Sequence, residues 1–130
     1  MPRPAEVYAK LLGDKINEHN TTVYLINTGW SGGPYGIGSR IKIKYSRAMI
    51  TAAINGGLDK SGYRHDELFN LEIPTNVEGV PSEILDPKNT WNDKNSYDES
   101  AKSLCKMFIE NFEKFDGVSP EIKNAGPRIL

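Results

Sequence analysis

Hydrophobic and polar positions divide the chain into a few periodic stretches joined by long irregular ones. Residues 2–20 carry Val7, Tyr8, Leu11, Leu12 and Ile16 at three- and four-residue steps, which predicts a helix with one apolar stripe. Pro4 suits its first turn and Asn20 its end. Residues 23–26 are uniformly apolar, and a run of that length predicts an interior strand. The alternation from Arg40 to Lys44 puts Ile41 and Ile43 on one face and three cations on the other. It predicts an amphipathic strand whose basic face is either solvated or set against a polyanion. An alanine-rich helix is expected from about Ser46 to Ile54, stopped at Asn55-Gly56-Gly57. Over residues 93–115, Tyr97, Ala101, Leu104, Cys105, Phe108, Ile109, Phe112 and Phe115 share a helical stripe opposite a charged face.

Between these elements the pattern breaks. Residues 57–68 read as a polar surface loop, residues 69–73 as a short strand ended by Pro74, and residues 75–90 as an irregular stretch. Pro81 and Pro87 rule out regular ladders there, although the segment at Pro81 can make one helical turn. Ser119-Pro120-Glu121 restarts a short helix that stops at Gly126-Pro127. The expected fold is α/β: few strands, three main helices and long connections, forming a single domain over residues 1–130.

The most unusual stretch follows the apolar strand. Glycines stand at positions 29, 32, 33, 36 and 38, with Trp30 and Tyr35 between them. Glycine is required where the backbone takes positive φ or where no Cβ fits. Five in ten residues predict a shaped loop with space for something to lie against it. Gly33 to Gly38 has P-loop glycine spacing, but Ser39 and Arg40 follow where lysine and a hydroxyl residue are needed. The dinucleotide fingerprint fails at Ile41, where its third glycine belongs. The loop is therefore no main phosphate cradle.

Composition narrows the function. The chain has 130 residues, 38% hydrophobic and 25% charged, with a net charge of −1, so no overall field recruits nucleic acid or anionic membrane. No apolar run approaches the ~20 residues of a membrane span. One cysteine, Cys105, cannot form an internal disulfide, and no secretory signal precedes the first helix; the expectation is a cytoplasmic, reducing location. Cys105 lies on an apolar stripe and reads as inert core. His19 reads as a solvated residue at a helix C-terminus, and His65-Asp66-Glu67 as adjacent residues pointing to opposite faces. Neither is expected to bind metal.

The run INTGWSGGPYGIGSRIKIKYSRAMITAAINGGLD and the later block FNLEIPTNVEGVPSEILDPKNTW resemble the C-terminal part of ATP-dependent phosphoenolpyruvate carboxykinase. PRPAEVYAKLL at the start and the closing helix before Ala125-Gly126-Pro127 stand in the same order, so the resemblance covers nearly the whole chain. Family members run to roughly four times this length, beyond the usual single-domain size. The chain looks like their last quarter, a partial C-terminal nucleotide-binding domain.

The resemblance implies adenine-nucleotide contacts at Arg40 and Ile41 and at Ser46, where the family usually has threonine. Serine keeps the hydroxyl and loses a methyl contact. Ser46 reads either as a helix cap alone or as cap and ligand contact together; Arg47 reads as an internal salt-bridge partner in preference to a ligand. Ser39, where many members carry lysine, and Lys42, where some carry serine, are further departures. In the family the stretch over residues 75–90 wraps the outside of the nucleotide-binding domain, so the resemblance gives Glu83 and Asp86 structural roles. The resemblance also implies ATP and a divalent metal (Mg or Mn) in the full-length enzyme. The P-loop lysine and metal ligands would lie in a missing N-terminal part, so this chain alone is expected to be inactive and to bind no metal. Two hypotheses stand: a part of that enzyme, or a stand-alone remnant acting as a structural or weak nucleotide-binding module. In the first, the strand at residues 23–26 lacks its sheet neighbours, and self-association through the exposed surface is expected.

Overall fold

The computed structural model describes residues 3–129. Helix α1 spans Ala5–His19 and closes at Asn20, which takes the left-handed conformation (φ 48°) and returns its N–H to the Ile16 carbonyl. The predicted start at Pro2 lies outside the described residues. A hairpin of β1 (Trp30–Ser31) and β2 (Ser39–Arg40) leads into α2 (Ile43–Ile54). A 3-10 turn at Leu58–Lys60 precedes a second hairpin, β3 (Tyr63–Asp66) with β4 (Leu71–Pro74). Then come two single-turn helices, α3 (Ser82–Leu85) and α4 (Pro87–Thr90), the long α5 (Lys94–Phe112) and short α6 (Pro120–Asn124). Helix and strand are mixed as an α/β chain should be, and α1, α2 and α5 are the three main helices. Each sheet is a two-stranded antiparallel pair.

The core is small. Leu58, Val77 and Val80 are buried together, with Tyr24, Tyr45, Met49, Ala52, Ile84 and Leu85 packed around them. The alanines of α2 let the helix lie close to this cluster. Ala101 and Cys105 are the buried positions of α5, and Cys105 is 0% exposed, in keeping with an inert core thiol. The restart after Gly117 is capped as its sequence implies, with the Ser119 hydroxyl accepting from the Ile122 N–H.

Three expectations are corrected. Residues 23–26 form no paired strand: residues 22–28 make no backbone–backbone hydrogen bond among the described residues. Val23 is 64% and Leu25 90% exposed, while Tyr24 and Ile26 turn inward. Uniform apolarity implied a strand covered on both faces, but the described chain supplies neither ladder partners nor a covering layer. Next, the basic strand expected over Arg40 to Lys44 ends at Arg40, because α2 begins three residues ahead of Ser46 and takes Ile43 and Lys44 into its first turn. Finally, the polar loop expected over residues 57–68 contains β3. Its residues are half exposed, so polarity concealed the strand, and β4 fixes it through pairs such as His65 opposite Glu72.

The chain exposes 9835 Å2, against roughly 6,900 Å2 for a compact monomer of its mass. Much of α1 contributes to this surface, with Tyr8, Leu11 and Leu12 uncovered.

Candidate functional site

Glycine chemistry shapes the loop between β1 and β2. Gly32 (φ +82°) and Gly36 (φ +90°) adopt left-handed backbone that side chains resist. Gly38 is required for a different reason: a Cβ there would sit 2.6 Å from the Ser31 carbonyl oxygen and 2.8 Å from the Gly33 nitrogen. The Pro34 carbonyl accepts from the Ile37 and Gly38 amides at 3.1 and 2.9 Å, closing the loop tip. Trp30 and Tyr35 meet edge to face, ring centroids 5.4 Å apart. Trp30 stands opposite Arg40 and Ser31 opposite Ser39, and the Ile41 N–H extends the hairpin by donating to the Gly29 carbonyl at 3.0 Å. Backbone pairing thus places Arg40 and Ile41 at the junction of hairpin and helix.

A cleft of about 340 Å3 opens at that junction. Arg40, Ile41, Lys42 and Tyr45 line one side, Ile84 and Thr90 the other. Arg40, Lys42 and Lys44 are exposed and make no ion pair among the described residues. Helix α2 carries no acidic residue in its first turn, so its partial positive end adds to the same field. The junction is favourable for an anionic ligand with an apolar or aromatic part: cations and free N–H groups meet the charge, and the faces of Ile41, Tyr45 and Ile84 meet the remainder.

Of the three sequence-predicted site residues, the structure brings Arg40 and Ile41 together at the cleft. Ser46 is not part of its lining. It is half-buried in the first turn of α2, its N–H directed to the Lys42 carbonyl at 3.3 Å. The cap position belongs to Lys42, so Ser46 is not the helix cap. Arg47 is exposed and has no carboxylate partner among the described residues, which corrects its assignment as an internal salt bridge. Residue-type patterns missed Ile84 and Thr90, since α3 and α4 lie some forty residues downstream. Only the tertiary fold returns them to the glycine loop.

The remaining polar features are structural. His65 Nδ1 lies 2.8 Å from Glu72 Oε1 across the second hairpin. Asp86 accepts from the Lys88 N–H as the cap of α4 and pairs with Arg64 at 3.2 Å, as its assigned structural role requires. Burial, together with the nearby carboxylates of Asp66 and Asp86, pushes the Tyr97 phenol up from its ordinary value. A hydrogen bond from the Ser96 hydroxyl, and another from the Asn95 N–H, hold the Asp93 carboxyl below the usual range. Among the described residues no group of three or more His, Cys, Asp or Glu is placed to hold a metal ion. A larger groove of about 570 Å3, lined by Phe108, Phe112 and Phe115, lies at the far end of α5 and holds none of the predicted site residues.

A glycine-shaped loop feeding a cation-bearing helix N-terminus is an arrangement chemically suited to an anionic ligand. The sequence profile of the phosphoenolpyruvate carboxykinase family matches residues 1–83. A phosphoenolpyruvate carboxykinase (ATP) from Caldanaerobacter subterraneus subsp. tengcongensis is 59% identical over 128 residues, 98% of this chain and 25% of that protein. Proteins of the same name from Alkaliphilus oremlandii and Thermus thermophilus are 56% and 47% identical over 124 and 129 residues. The chain belongs to the phosphoenolpyruvate carboxykinase family, and it spans about a quarter of the length of the curated relatives it matches.

Proposed function

We propose that the chain is the C-terminal portion of an ATP-dependent phosphoenolpyruvate carboxykinase and supplies the adenine-nucleotide wall of its active site. The whole enzyme would convert oxaloacetate and ATP to phosphoenolpyruvate, ADP and CO2 in the cytoplasm. The observation carrying this is the convergence of Arg40 and Ile41 on one cleft at the cationic start of α2. The Arg40 guanidinium is planar and can lie on a base face or fork to oxygen acceptors. Ile41 would wall the purine, and Ser46 would offer its hydroxyl from the first turn of the same helix. The phosphoryl-transfer and decarboxylation groups would come from the missing N-terminal part, which leaves this chain inactive by itself.

Calorimetric titration with ATP tests the assignment, on this chain and on Arg40→Ala. Binding that weakens about tenfold or more on removing a charged hydrogen-bond partner is the expected outcome. Equal heats from both proteins would overturn the role of Arg40. Heat from neither, with binding restored only when the upstream part is added, would make the cleft half of a site completed elsewhere in the enzyme.

A further inference from the structure

The downstream side of the cleft rests on α4, a helix of four residues, too short to hold itself together in water. Its ends are held by side chains. At the start, the Asp86 carboxylate accepts from the Lys88 N–H at 3.2 Å and from Asn89 Nδ2 at 3.0 Å. At the finish, Lys94 Nζ donates to the carbonyls of Lys88, Asn89 and Trp91 at 2.8, 3.0 and 2.8 Å. Lys88 Nζ reaches Asp98 on α5 at 2.7 Å. A single helical turn is thereby fixed to the longest helix of the chain.

What α4 presents to the glycine loop is Thr90. Its hydroxyl donates to the Pro87 carbonyl at 2.7 Å. With that proton committed, Thr90 Oγ1 accepts from the Ser31 hydroxyl at 3.1 Å. The adjacent backbone is equally close: a Cβ at Gly32 would lie 2.9 Å from the Thr90 carbonyl oxygen. Ser31 and Gly32 are the residues through which β1 enters the loop, and Ser31 pairs with Ser39 beside Arg40.

We propose that Thr90 is a positioning residue for the cleft. It sets the stance of the glycine loop through Ser31, and through the short hairpin it sets how Arg40 and Ile41 are presented. The link to ligand binding rests on the nucleotide-wall assignment above; the link to loop order does not.

Thr90→Val keeps the shape and deletes the hydroxyl, and Thr90→Ser keeps the hydroxyl. Native-state hydrogen exchange at the Gly38 and Ile41 amides reads the loop, with amides around Cys105 in α5 as the reference. Losing one neutral hydrogen bond should speed exchange at the two loop amides about fivefold, leave α5 unchanged, and be reversed in Thr90→Ser. Unchanged loop exchange, equal acceleration in α5, or Ser behaving like Val would each overturn the proposal. ATP titration of the same proteins separates the two assignments. Where the parent chain binds, Thr90→Val should weaken binding by a similar factor, and undiminished affinity would overturn a positioning role in binding. Where no protein binds ATP, the nucleotide assignment for the isolated chain fails and exchange alone decides for or against Thr90.

Discussion

Tyr24 illustrates what a single residue does in a segment that lacks ladder bonds. Its hydroxyl donates to Asp59 Oδ1 at 2.7 Å, tying residues 22–28 to the 3-10 turn that carries core residue Leu58. Accepting that bond, the Asp59 carboxylate pushes the phenol up to about 12, with desolvation and the carboxylate's charge acting in the same direction. A phenol raised in the folded state contributes stability that is complete below its ordinary value of 10.0 and is lost as pH rises through about 12. The stability difference between the parent chain and Tyr24→Phe should therefore be constant at neutral pH and vanish towards pH 12. Phenolate absorbance should show one late-titrating tyrosine that the substitution removes. A difference that persists unchanged across that window would mean the hydrogen bond contributes nothing. The residue scale also explains which predictions held. Asn20 acts through local backbone geometry, and such a role follows from residue type and neighbours.

At the scale of elements, α2 shows how packing decides position. Ala48, Met49, Ala52 and Ala53 form its inner face against Leu58, Val77 and Val80. Truncating Leu58 to alanine removes the centre of a three-residue core. Denaturant unfolding should register a loss of about 2–3 kcal/mol, at the low end for a buried leucine because so thin a core can partly collapse. A loss under about 0.5 kcal/mol, the range of neutral surface changes, would show that this cluster is not the stabilising centre. The same packing moved the start of the helix. Ile43 and Lys44 alternate as a strand would, yet α2 gains a turn by including them, and Lys42 becomes its cap position. Alternation over five residues is too short a signal to compete with a helix already anchored by its alanine face.

At the scale of the whole molecule, the exposed surface is the dominant fact. The excess over a compact monomer is roughly 3,000 Å2, more than the ~800 Å2 per partner of a standard interface. Residues 22–28 hold no charge, no proline and no glycine, and their backbone has no ladder partner among the described residues. Such an unprotected edge invites pairing. The isolated chain should self-associate in sedimentation and bind an apolar-surface dye. Leu25→Lys should reduce both by placing a charge on the exposed face. A stable, monodisperse monomer with no dye uptake would overturn this. The chain spans about a quarter of the length of the relatives it matches, and we propose that the rest of such a protein covers this surface.

The sequence by itself determined the family, the three main helices, the stops of the first two at Asn20 and Asn55, the buried environment of Cys105 and the glycine loop with Arg40 and Ile41 beside it. These rest on local quantities: periodicity, backbone freedom and residue order along one segment. Only the tertiary structure decided that residues 23–26 lack a ladder, that β3 exists, that Ser46 lies inside a helix turn, and that Thr90 meets Ser31. Each depends on a partner far away in the chain, or on the lack of one. Strand pairing and cleft walls are properties of two segments at once, and no pattern within either one encodes the other's position.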